Sequence, residues 1–413
     1  MFKFIVQFLL IFTLCLSNKK AKGGWLTPSG VVLGLYSICS LAGVFTLFYG
    51  NYTQPFDDKY WLPMLFFDLF IIIFLLPFRI FNESGIRVVR LPSRSFLDVF
   101  STIIIILSLF SIVFYGSSVR NIFSMASLGD ARNDMVGGEL YFEKGISATV
   151  GSVAAANYVF AIMLYFIYKI IGNSKTRCAL LLISSFSESI QVLSFVGRDG
   201  IVFWIFTVMY LYAFFRPFVT EDTEKKLLRK AVIIIAIISI PFFLITISRF
   251  GSGGSGSSIV SYLGQGFINA PLFFGLESKP IDIGSRFPLF YELTGTRMPS
   301  GSGPVVIGDW VSWQFSTIVV GLYRSLDLMG LIIVTIIMYC LFRLVTRNVK
   351  QVINLGQLTF YMLYFQIIGE GVFYFKHATR GGNLFILTTL MLAIFFSFAT
   401  KTSAAKIVLN RVR

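Results

Sequence analysis

Arginine recurs in this 413-residue chain at the ends of greasy runs. Arg198 sits in VGRDG, Arg249 in ITISRFGSGGSG and Arg324 in GLYRSLDLMG, while Arg286 and Arg297 lie in a long mixed stretch and Arg120 and Arg132 in a shorter one. A guanidinium's planar fork suits bidentate contact with phosphate, and its charge cannot be titrated away in a partly dry site. Acidic groups share these settings at Asp199, Asp309, Asp327 and Glu370. Glu370 and the single histidine, His377, fall in GEGVFYFKHATRGG, where a base or proton relay is one reading and an ordinary loop the other.

Each motif carries a plain structural alternative. The glycines after Arg249 could turn their amides inward as an anion nest, or serve as a flexible connector below a snorkelling arginine. In VGRDG, Arg198 and Asp199 could pair and cap the helix beginning at Gly200. Arg324 and Asp327 stand three apart, close enough to pair on one helix. The stretch from Phe287 to Phe315 mixes flat aromatic faces with polar edges, as sugar rings favour, and Tyr291, Trp310 and Trp313 are its candidate glycan contacts. The two tryptophans would serve equally as interfacial anchors.

These residues are positioned by a hydrophobic scaffold. Apolar residues make up 56% of the chain and charged ones only 13%, and the mean hydropathy is +0.78. Such a composition belongs to a polytopic all-α membrane protein. Apolar runs near spanning length can be drawn at 4–16, 30–49, 60–78, 96–115, 149–171, 179–195, 201–215, 231–247, 315–342, 358–375 and 384–398, about eleven crossings. The first run could pass for a signal-peptide core, but no small-residue cleavage site follows it and NKKAKGG is basic, so it is expected to remain as a span.

The net charge of +15 would suggest nucleic acid in a soluble protein. Here the basic residues cluster in alternate connectors, which reads as the positive-inside topology signal and not as a nucleic-acid surface. NKKAK, the segment 79–94, KIIGNSKTR, KKLLRK, RLVTRNVK and the tail from Lys401 are expected inside. The opposite set, expected outside, contains 51–59, a smaller loop at 117–147, VGRDG, a large loop at 248–312 and FKHATRGG. The whole chain is expected to form one membrane domain. No multi-histidine metal site is possible with one histidine, and the four cysteines show neither disulfide nor metal-ligand spacing.

About eleven spans, GRDG in a short outer turn, SRF leading into SYLGQGF, a large outer loop and then FSTIVVGLYRSLDLMGLI resemble the Wzy-type O-antigen polymerases of bacterial inner membranes. In the last stretch Phe315, Thr317, Asp327 and Gly330 fit the family's pattern, while Leu328 and Met329 replace its usual Phe-Gly. Arg297 and Gly308 also meet the spacing described for an outer-loop arginine in that family. The resemblance implies a GT-C-like glycosyltransferase bundle with a large periplasmic loop, working at the periplasmic face without metal, cofactor or nucleotide sugar. It would move a growing glycan from undecaprenyl diphosphate onto the next lipid-linked unit. Its partners would be lipid-linked donor and acceptor, membrane lipids, and a flippase and chain-length regulator.

On that reading Arg198, Arg249, Arg286 and Arg297, with Arg120, Arg132 and Arg324 behind them, would hold the diphosphate as charge develops on it. The base would come from Asp199, Asp309, Glu370 and His377. Two other activities use the same lipid-linked glycan: an O-antigen ligase delivering it to a lipid A core, and a flippase. A flippase favours paired repeats with charges at the bilayer midplane, whereas the ionisable residues here gather toward the outer ends.

Overall fold

The computed structural model describes residues 2–49, 61–125, 128–136, 141–142, 145–172, 174–250, 255–275, 287–294, 306–307, 310–311, 316–401 and 405–409. In chain order its helices begin with α1 Phe2–Lys22, α2 Pro28–Phe48, α3 Trp61–Ile80, α4 Arg94–Phe123 and α5 Leu128–Val136. They continue with α6 Ile146–Ala156, α7 Tyr158–Ile170, α8 Lys175–Ser184, α9 Ser187–Leu193, α10 Asp199–Phe215 and α11 Glu221–Phe250. The last are α12 Ser255–Gly275, α13 Pro288–Thr294, α14 Ile318–Thr346, α15 Leu355–Tyr364 and α16 Arg380–Ala399. Short strands β1 Val88–Arg90, β2 Val306–Ile307, β3 Trp310–Val311, β4 Val352–Asn354 and β5 Lys406–Val408 complete the list.

Among the described residues, nine helical segments are long and apolar enough to cross a membrane, so the protein is a multi-pass all-α membrane protein. They match nine of the eleven apolar runs. The remaining two are assembled from shorter pieces. The run 179–195 becomes α8 and α9, and the run 358–375 becomes α15, a π-helical turn over Phe365–Gly369 and a 3-10 turn over Glu370–Val372. Irregular backbone is tolerated at membrane depth only where protein or a water-filled cavity satisfies it.

The chain forms two compact units. The first comprises Met1–Gly85, Gly256–Lys350 and Gln357–Ala393. Its α1, α2 and α3 are clasped at one end by Lys22, whose Nζ donates to the carbonyls of Phe78 (2.7 Å) and Phe81 (2.5 Å) and pairs with the buried Glu83 carboxylate. Along α1 the buried residues Phe4, Gln7, Ile11 and Cys15 recur at helical spacing, which turns one stripe inward.

The segment 248–312, expected as a loop, is helical over its described first part. Ser248–Phe250 finishes α11, and α12 follows from Ser255. The glycines of SYLGQGF serve close packing: a Cβ on Gly264 would lie 2.3 Å from the Gly43 nitrogen of α2, so only glycine lets the backbones meet. Phe267 then packs edge-on against Tyr36 and Phe67, with ring centroids 6.2 and 6.0 Å apart. The tract 251–254 itself lies outside the described residues. Within 117–147, α4 continues to Phe123 and α5 follows.

The second unit comprises Ile86–Ser255, Gln351–Gly356 and Ile394–Arg413. Three of its strands form a small sheet in the order β4-β1-β5, β1 being parallel to β4 and antiparallel to β5. At the opposite ends of α4, α10 and α11, Ile122, Ala131, Leu193, Val196, Ile201 and Ile245 form a buried apolar core. That core underlies the VGRDG turn.

Candidate functional site

In the first unit, α14 is interrupted at Asp327, whose φ of 57° and ψ of −179° lie in a region that side chains other than hydrogen rarely enter. The Asp327 carboxylate Oδ1 accepts a hydrogen bond from the Leu328 N–H (2.8 Å), starting the second half of the helix as a cap does. Among the described residues no ion pair joins Asp327 to Arg324, so the pairing open to them from their spacing is not made. The two side chains part instead. Asp327 is exposed, and Arg324 is 2% exposed with its guanidinium 4.7 Å from the Phe273 ring of α12. Arg324 stands six residues beyond Ile318, about 9 Å along the helix.

Facing this part of α14 is the turn after α15. A Cβ on Gly371 would lie 2.8 Å from Ile318, and one on Gly321 would lie 3.3 Å from Phe375, so the two segments pack tightly through glycines. The π-helical turn presents Gln366, 1% exposed, as a hub. Its Nε2 donates to Glu370 Oε1 (2.7 Å) and its Oε1 lies 3.5 Å from Lys376 Nζ. Lys376 in turn pairs with Glu370 Oε2 at 3.0 Å, and the Glu370 side chain is completely buried. The Gln366 backbone accepts a hydrogen bond from the His377 imidazole.

His377 is 2% exposed and stacks on Phe385, with centroids 5.4 Å apart and planes 14° off parallel. Asn383 Nδ2 fixes its backbone by donating to the His377 carbonyl (2.7 Å). A Cβ on Gly382 would lie 2.6 Å from the His377 Cα, so the RGG turn must be bare of side chains there. The imidazole Nε2 has no hydrogen-bond partner among the described residues. Burial, and then the Lys376 ammonium, hold the imidazole pKa well below its ordinary 6.5. The ring is therefore a neutral acceptor.

In the second unit Val196 has φ 52°, a genuine outlier for a β-branched residue. Its side chain is wholly buried in the apolar core, which holds the strained turn. The Gly197 N–H donates to the Val192 carbonyl (3.0 Å), and α10 begins at Asp199 with Arg198 as its N-cap residue. Arg198 is buried: Nη1 donates to Thr246 Oγ1 (2.7 Å) and the guanidinium lies 5.6 Å from the Phe242 ring. Arg249 follows Thr246 by three residues in α11.

The other expected residues are dispersed or undescribed. Arg120 is exposed in the last turn of α4, where a cation suits the helix dipole. Arg132 lies in α5, Tyr291 in α13 and Trp310 in β3. Arg286, Arg297, Asp309 and Trp313 lie outside the described residues. Sequence reasoning missed Gln366, Lys376's pairing and Asn383; a neutral amide in an apolar run gives no charge signal.

Comparison with known protein families, curated proteins and solved structures finds no match to this chain.

Two expected results follow from this geometry. Asp327→Gly should relieve backbone strain of about 1–3 kcal/mol and offset the lost cap, whereas Asp327→Ala keeps the strain and loses the cap. Thermal unfolding in detergent should rank glycine above alanine, and the reverse order would mean that the break is not strained. As for pH, the unfolded His377 ring takes a proton near its ordinary 6.5 and the folded ring resists it. Stability is therefore retained above that pH and lost as pH falls below it. His377→Gln should flatten the acid side of the melting profile; an unchanged slope would place the loss on other groups.

Proposed function

We propose that the protein polymerises undecaprenyl-diphosphate-linked oligosaccharide repeat units at the outer face of the bacterial inner membrane. The acceptor hydroxyl attacks the anomeric carbon of the donor glycan. The bond from that carbon to the diphosphate oxygen breaks, its electron pair leaves with undecaprenyl diphosphate, and the hydroxyl proton passes to a base.

The observation that carries this reading is Arg324, a buried guanidinium on a spanning helix beside a break in that helix. Ionisable groups buried on helices apolar enough to span a membrane are expensive and are retained for function. A permanent cation there favours a leaving group that gains negative charge as it departs. Among the described candidate bases, His377 presents an Nε2 with no hydrogen-bond partner among the described residues, while Glu370 pairs with Lys376. Arg198, held in the strained turn of the second unit, is a further buried guanidinium whose contribution is tested separately.

The test is purified protein in vesicles supplied only with undecaprenyl-diphosphate oligosaccharide and excess EDTA. A ladder of products spaced by one repeat unit is expected. Transfer only when a lipid A core is added would make the protein a ligase, movement of unchanged lipid a flippase, and a ladder that requires Mg²⁺ would contradict the metal-free chemistry.

A further inference from the structure

The first unit holds a partly open cavity of about 200 Å³ whose lining includes Ile318, Leu322, Met338, Leu363, Phe375 and Leu390. Every lining side chain is apolar except Tyr364, whose hydroxyl donates away to the Phe74 carbonyl (3.0 Å). Water gains no hydrogen bonds by entering such a space, and a cavity of roughly 150 Å³ with similar walls takes an apolar guest of benzene's size. Leu341, on the same wall, is 42% exposed on a spanning helix, so the cavity opens sideways onto surface that meets hydrocarbon.

One side of it is strapped. Phe287 packs on Phe375 with centroids 5.6 Å apart, and α13 follows directly. The Leu289 N–H donates to Asn383 Oδ1 (3.4 Å), and Glu292 pairs with Arg380 Nε at 3.0 Å. That last pair is about half exposed on both sides, so it is weak and open to exchange. Arg380 opens α16, the helix that also supplies Leu390 to the cavity wall. An exchangeable cation above a dry, sideways-open cavity is complementary to an amphiphile with an anionic head and a hydrocarbon chain.

We infer that this cavity seats the isoprene units nearest the head of the polyprenyl diphosphate, with Arg380 leaving Glu292 for the phosphate. The inference rests on the polymerase reading for the identity of the chain. An acyl chain of an anionic phospholipid is the competing occupant.

The experiment uses the full protein in phosphatidylethanolamine and phosphatidylglycerol vesicles with a polyprenyl phosphate carrying a diazirine near its head. Crosslinks are expected on Met338, Leu363 and Leu390. Excess unlabelled polyprenyl phosphate should reduce them about tenfold, and added phosphatidylglycerol should not. Leu390→Trp, or Met338→Phe should the larger ring prevent folding, should reduce them similarly, and Arg380→Gln should weaken them with the fold intact. Labels confined to the lipid-facing exterior, or displaced equally by phosphatidylglycerol, overturn the inference. Cavity labelling without glycan polymer in the same vesicles would uphold the site and remove the polymerase reading, while polymer without cavity labelling would do the reverse.

Discussion

Lys376→Met is expected to destabilise the protein by about 3–5 kcal/mol, because it takes an ammonium away from a fully buried carboxylate. Glu370 has no exposed side-chain surface, and the Lys376 ammonium at 3.0 Å is a counter-charge to it beside the neutral amide of Gln366. A loss of that size is a large share of the roughly 5–15 kcal/mol that holds an ordinary domain together. Glu370→Gln with Lys376→Met should recover most of it, since two neutral groups of similar shape leave no buried charge. The check is a double-mutant cycle on thermal unfolding in detergent. A single variant that melts with the wild type would mean that water reaches the pair, and the closed cluster around Gln366 would have to be abandoned.

Arg324→Ala is expected to lower polymer output by about 10²–10³-fold, the scale on which removal of one preorganised charge-stabilising donor acts. Arg198→Ala should act in the same direction. Both should leave the protein inserted, since each arginine sits in an environment that phenylalanine rings already line, Phe273 in one case and Phe242 in the other. Lysine at position 324 keeps the charge and loses the fork, so partial activity is expected from Arg324→Lys. Glycan length on gels, read beside the amount of protein in the membrane, separates a lost contact from a lost protein. Full-length glycan from either alanine variant would remove that arginine from the mechanism.

How far the sequence was legible follows from what each signal measures. Hydropathy finds apolar length, and among the described residues nine of its runs are helical segments long and apolar enough to span a membrane. It does not see hydrogen bonding, so the runs 179–195 and 358–375 looked continuous although each is broken into shorter turns. Glycine was misleading in one place and informative in another. SYLGQGF was expected within an outer loop, yet its Gly264 lies in α12 and lets that helix touch Gly43 of α2. The glycines of VGRDG suggested a tight turn, and the structure has one, with the strain carried by Val196.

Charge spacing placed Arg324 and Asp327 together, and a kink separated them, because helical neighbourhood holds only while the helix is continuous. The Glu370 and His377 pairing with Gln366 depends on a π-helical turn that no residue type announces. The grouping of segments into two units carries no local signal either. Each unit gathers segments distant along the chain, such as Met1–Gly85 with Gly256–Lys350, and local pattern carries no information about which distant surfaces meet.

The most direct measurement of the central claim is the affinity of undecaprenyl diphosphate for the purified protein in nanodiscs, wild type against Arg324→Ala, in EDTA. Loss of a buried guanidinium from the diphosphate should weaken binding by at least about tenfold, or 1.4 kcal/mol, with the fold unchanged. Equal affinities for the two proteins would contradict it.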